Sequence, residues 1–76
     1  MNQASEVDIA VGKLVKLLRL EKRIPAEELA KNIGVSIGEY TQYELGESRF
    51  RPGVLMKLCD VLDIRPSRIF SNITIE

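Results

Sequence analysis

Prolines and glycines fall in this sequence where helices would begin and end, and that punctuation constrains its folding more than any other feature. Pro25, Pro52 and Pro66 each open a run that reads as helical, and proline is comfortable only in a helix's first turn. Gly34 and Gly46 each close one, where a left-handed residue ends a helix well. Between these marks, apolar residues recur three and four apart, the period of a helix with one buried face.

The spacing predicts five helices. The first covers about residues 7 to 22, with Val7, Ala10, Val11, Leu14, Leu17 and Leu18 as its apolar stripe. Ser5 is placed to cap it, and Asp8 gives a capping-box-like start. Ile9, Val15 and Leu20 fall off the stripe and require either exposure or cover by another element or chain. The second helix, about 25 to 32, buries Leu29, Ala30 and Ile33, and Glu27 and Glu28 suit its positive end. Ser36 then caps a third, roughly 37 to 44, with Glu39 completing the capping box and Tyr40 and part of Tyr43 turned inward. After a loop from Glu47 to Arg51, the fourth helix starts at Pro52 and carries Leu55, Leu58, Cys59 and Leu62 inward. Phe50 is placed to pack on Leu55 as a staple across its start. A short fifth helix from Pro66 and Ser67 closes the core with Ile69 and Phe70. The tail Asn72–Glu76 alternates like a strand; it either frays or pairs with its own copy. Residues 1–5 read as a flexible leader, 6–71 as the folded domain and 72–76 as a tail open to a dimer contact.

A chain of 76 residues buries only roughly 60% of its unfolded surface, so one core is the ceiling. A hydrophobic content of 45% supplies that core, and 29% charged residues complete an ordinary globular balance. Cys59 stands alone and there is no histidine, which excludes an internal disulfide and the usual zinc ligands. No metal, cofactor or catalysis is expected; Cys59 reads as a small buried hydrophobe, and Asp60 and Asp63 as solvated. No run of about 18 apolar residues offers a membrane span. Met1–Asp8 lacks the marks of an export signal, so the expected location is cytoplasmic.

The formal net charge is zero, which argues against a non-specific nucleic-acid coat. Its distribution is uneven. From Ile37 to Ser48 there are acids (Glu39, Glu44, Glu47) and no base, whereas Arg49 to Phe70 holds Arg49, Arg51, Lys57, Arg65 and Arg68 against Asp60 and Asp63.

A helix, a short turn containing Gly34 and a second helix have the spacing of a helix-turn-helix. Ala30 lets the two helices approach, Gly34 turns the chain without strain, and Val35 with Tyr40 plugs the angle between them. The outer face of the third helix can then enter a major groove about 12 Å wide. On residues alone the pattern is shared with other helical hairpins, so it leaves DNA reading and plain packing both open.

The run Leu29-Ala30-Lys31-Asn32-Ile33-Gly34-Val35-Ser36, followed by Tyr40-Thr41-Gln42-Tyr43-Glu44-Leu45-Gly46, resembles the Cro/C1-type helix-turn-helix family. The likeness covers about residues 9 to 71. It implies a compact all-α, five-helix lambda repressor-like domain that binds double-stranded operator DNA as a homodimer. It also implies that Arg19 on the first helix pairs with Glu44. Glu44 lies at the negative end of its helix and wants a cation there, although both side chains could equally be solvated. By position, Ser36, Ile37, Glu39, Thr41 and Gln42 correspond to base-reading residues. The candidate phosphate contacts are the Ala26 backbone amide, Arg49 and Arg51 beside the loop after the third helix, Lys31 and Lys57 as weaker ones, and the hydroxyl of Tyr43, which stands in the place of a family apolar residue. Each of the bases could equally be a solvated surface charge.

Two departures from the family pattern stand out. Pro25 and Ala26 occupy the place of a Ser or Thr followed by Gln, so only the Ala26 backbone amide is left to hold a phosphate. Gly38 brings no side chain to read with, and Glu39 serves either as an acceptor from cytosine or only as a capping acid. Ile64, Ile69, Ile73 and Ile75 exceed what so small a core needs and are the expected dimer contacts. The alternative to a DNA-binding regulator is the same fold used as a protein-interaction or assembly module.

Overall fold

The structure is a computed structural model and describes residues 6–71, with side chains to residue 69. Five helices follow in order: α1 (Glu6–Glu21), α2 (Ala26–Ile33), α3 (Ile37–Leu45), α4 (Pro52–Leu62) and α5 (Pro66–Ser71). Among the described residues there is no strand. The leader 1–5 with Ser5, the tail 72–76 with Ile73 and Ile75, and the Phe70 side chain lie outside what is described.

The helices stop where local chemistry makes them stop. Gly34 (φ 79°) and Gly46 (φ 75°) sit in the left-handed region, and each donates its backbone N–H to carbonyls of the last turn. Asp63 does the same for α4 at φ 56°, a conformation that aspartate tolerates better than most residues. Pro52 opens α4 as its first residue. Pro25 behaves differently from the expectation: it is the N-cap of α2, extended at ψ 144°, and its carbonyl accepts from Leu29 N–H at 3.1 Å. Because proline holds φ near the helical value at either position, the sequence alone does not separate the two.

The core gathers Val11, Val15 and Leu18 of α1, Leu29, Ala30 and Ile33 of α2, Tyr40 of α3, Leu58, Cys59 and Leu62 of α4, and Ile69 of α5. Here the expected stripe of α1 needs correction. Val15, placed off it, is fully enclosed, whereas Leu17, placed on it, is 57% exposed. The reason is Gly12. A methyl group there would fall on the Tyr43 carbonyl oxygen and 2.9 Å from that of Glu44, so α1 lies with its bare backbone against α3. This contact rolls α1 so that Asp8, Val11, Gly12, Val15 and Leu18 face inward. Gly46 repeats the device: a Cβ there would lie 2.8 Å from the Ile9 Cα. Asp8, whose expected capping partner Ser5 lies outside the described residues, also makes a long-range contact. It is buried, and its carboxylate accepts from the Phe50 N–H at 3.0 Å, tying the start of α1 to the loop before α4.

Ile69 is fully enclosed in the same core, which removes it from the expected dimer contacts: its side chain is consumed within the monomer. Ile64 is half-buried and packs against the core.

Candidate nucleic-acid interface

Helix α2, the turn Gly34–Ser36 and helix α3 form the helix-turn-helix. Val35 N–H donates back to the Ala30 carbonyl at 3.0 Å, which folds the turn onto α2. The Ser36 hydroxyl accepts from Glu39 N–H at 3.1 Å and starts α3. Only half of the expected capping box forms. The Glu39 carboxylate instead accepts from the Tyr43 hydroxyl, 3.2 Å away on the next turn.

Helix α3 is held from behind by a set of polar groups. Arg19 Nε lies 2.6 Å from Glu44 Oε2, and both side chains are 11% exposed. Arg19 Nη1 donates to the Ile24 carbonyl at 2.9 Å, at the entry to α2. The Tyr40 hydroxyl donates to Glu44 Oε2 as well. One guanidinium therefore joins α1, the turn into α2 and α3. Its hydrogen bond to Glu44 raises its pKa further. Burial, and then the bond to Glu44, hold the Tyr40 hydroxyl well above the ordinary tyrosine range. Nothing in the spacing of apolar residues marks Tyr40 as a polar partner; its hydroxyl reaches Glu44 because the two lie one turn apart.

The other face of α3 is open. Ile37, Gly38, Thr41, Gln42 and Leu45 are exposed, and Glu39 stands at their edge, half-buried. The Thr41 hydroxyl donates to the Ile37 carbonyl at 2.8 Å, back along its own helix, and leaves its methyl group without a polar task. The Ser48 hydroxyl donates to Gln42 Oε1 at 3.3 Å. A groove runs beside this face between α3 and the loop 47–51, lined by Gln42, Glu39, Ser48, Arg49 and Arg51 among others. A second, floored by Gly34 and Val35, is bordered by Arg51 and Lys57 and shares Glu39 with the first. Arg49, Arg51, Lys31 and Lys57 are all exposed. Ala26 begins α2.

Tyr43 is not placed as its expected phosphate role requires. It is 2% exposed, its ring stacks on Phe50 with centroids 4.9 Å apart, and its hydroxyl is given to Glu39. It occupies an apolar position of the helix, and the ring follows the burial. Burial first, and then Glu39, raise its pKa. Phe50 is thus engaged with Tyr43, an aromatic pair that the staple expectation did not include.

The helix-turn-helix family model matches residues 15–69. The chain belongs to the Cro/C1-like helix-turn-helix family. Its five-helix fold is shared with the clp gene regulator ClgR of Corynebacterium glutamicum. That likeness has a TM-score of 0.84 and 22% identity, over 90% of this chain and 72% of that one. The restriction-modification controller protein C.AhdI of Aeromonas hydrophila superposes with a TM-score of 0.77 at 27% identity, over 83% of this chain and 96% of its own. An HTH-type transcriptional regulator of Sinorhizobium fredii, y4aM, is 31% identical over 70 residues. Those residues are 92% of this chain and 49% of that relative, so the chain spans about half the relative's length. The matched members are regulators and controller proteins rather than enzymes. Among the described residues no cluster of His, Cys, Asp and Glu could hold a metal, and no helix is long and apolar enough to cross a membrane.

Proposed function

We propose that the chain is a sequence-directed, DNA-binding transcriptional regulator working in the cytoplasm as a homodimer on a palindromic operator. Each subunit presents one α3 to a major groove, the two grooves lying about 34 Å apart. The observation that carries this reading is the outer face of α3. It stands open, with side chains of different chemistry side by side, while its inner face is clamped to α1.

On that face Gln42 bonds a base edge, and Ile37 and the Thr41 methyl touch thymine methyl groups. Ser36 and Glu39 flank them, Glu39 as an acceptor from cytosine N4. Arg49, Arg51 and Lys31 neutralise phosphates and fix the register, with the Ala26 amide at the start of α2 as a weaker phosphate donor. Tyr43 contributes through Glu39 rather than through phosphate. Ile64 and the tail residues Ile73 and Ile75 supply the two-fold contact. Neither cofactor nor metal has a part in this reading.

A fluorescence titration on genomic fragments at low and moderate salt tests it. Affinity should fall steeply as salt rises, because several phosphate contacts release counterions. Arg49→Ala should weaken all sites alike, whereas Gln42→Ala should relax preference at one base pair per half-site. Absence of DNA binding at low salt would refute the reading. It would favour the second one, a protein-interaction module, for which the 60% exposure of Leu45 beside the acidic Glu47 is the supporting observation.

A further inference from the structure

We propose that Ser48 sets which base Gln42 reads, by holding the carboxamide so that it offers donors and withholds its acceptor. The inference rests on the DNA-reading proposal above and deepens it. A glutamine side chain free in solution turns either end outward and pairs with adenine, giving to N7 and accepting from N6. Gln42 is not free in this way. The Ser48 hydroxyl donates to Gln42 Oε1 at 3.3 Å, so the oxygen is the end turned to Ser48 and the amide nitrogen, on the other side of the same planar group, is the end left for a base edge.

The position of Ser48 is fixed by backbone, not by chance proximity. Gly46 takes the left-handed conformation at φ 75°, which reverses the chain at the end of α3. The Glu47 N–H then donates to the carbonyl of Gln42 itself at 2.8 Å, and the Gly46 N–H donates to that of Tyr43 at 3.1 Å. Residue 48 follows directly and is carried back over the turn that bears Gln42. It is half-buried there, while Gln42 is exposed. Both line the same groove beside α3.

An amide that turns its N–H₂ end to the groove matches an edge rich in acceptors. Guanine presents N7 and O6 together in the major groove, so it suits the held amide better than adenine, whose N6–H₂ would meet a donor. Ser48 is thus a positioning residue for base choice. Removing its hydroxyl releases Oε1 and restores the adenine match.

The test is selection from a randomised-sequence DNA pool, followed by titration of operators differing at one base pair. Wild type, Gln42→Ala, Ser48→Ala and Ser48→Thr are compared. Gln42→Ala identifies the position that Gln42 reads. At that position wild type should favour guanine over adenine by about fivefold or more. Ser48→Ala should bring the two within about twofold, leave preferences elsewhere unchanged and leave the urea midpoint in place. Ser48→Thr, which keeps the hydroxyl, should retain the guanine preference. A wild-type preference for adenine there, or an unchanged preference in Ser48→Ala, overturns the inference and leaves the DNA-reading proposal standing. A pool that yields no enriched sequence for wild type overturns both.

Discussion

Gly12→Ala places one methyl group where α1 and α3 lie backbone to backbone, and it should weaken the fold. The added carbon would overlap the Tyr43 carbonyl oxygen and come within 2.9 Å of the Glu44 carbonyl oxygen. Both obstacles are main chain inside a hydrogen-bonded helix, so neither can swing aside as a side-chain end would. Overpacking of this kind costs about 1–3 kcal/mol. Alanine returns about 1 kcal/mol of helix propensity over glycine, so the two effects oppose each other. With backbone on both sides the steric loss should win, leaving a net cost of about 1–2 kcal/mol. For a domain of this size that lowers Tm by about 4–8 °C per kcal/mol. Gly38→Ala is the control, because a Cβ there meets nothing within 4 Å. It keeps only the propensity gain and should stabilise by up to about 1 kcal/mol. Urea unfolding followed by far-ultraviolet circular dichroism measures both. If Gly12→Ala is as stable as wild type, or gains as Gly38→Ala does, the argument for a backbone contact is wrong.

Three further outcomes follow from the clamp behind α3. Arg19→Met strands the Glu44 carboxylate at 11% exposure and should cost about 3 kcal/mol in urea unfolding; adding Glu44→Leu should recover much of that loss. Tyr40→Phe keeps the ring and removes a hydrogen bond to a charged group, for an expected cost of about 1.5–3 kcal/mol. The folded-state pKa values of Tyr40 and Tyr43 are both raised. Their contribution to stability is therefore complete below the unfolded value near pH 10 and lost as pH climbs towards the folded values. Absorbance at about 295 nm should show less tyrosinate in the native protein at pH 10 than in the unfolded chain at the same pH.

The helix-turn-helix was legible because its determinants are local. Gly34, Ser36 and Gly46 act within a turn of their own position, so their roles can be read residue by residue. The roll of α1 was not, because it is set by Gly12 against carbonyls of residues far along the chain, and a periodic stripe contains no record of bare backbone. The burial of Val15 and the exposure of Leu17 follow from that one contact. The tie from Asp8 to the Phe50 N–H was illegible for a similar reason: the two residues are distant in sequence. Arg19 and Glu44 became a pair through family likeness plus the unfavourable place of a carboxylate at a helix end. Tyr43 was assigned by position on α3, but an aromatic ring there gains more from stacking on Phe50 than from reaching outward. The end of α4 carries no glycine, so Asp63 in the left-handed region had only its chemical type to announce it.

With carbonyls of α3 resting on Gly12, Ile9 filling the space over Gly46, and one guanidinium bolting three segments together, α3 has no seam along which to slide. A surface mounted this stiffly acts as a template. Whatever docks on it must do the bending, and the energy of that bending becomes a means of choosing among partners whose exposed edges are otherwise alike.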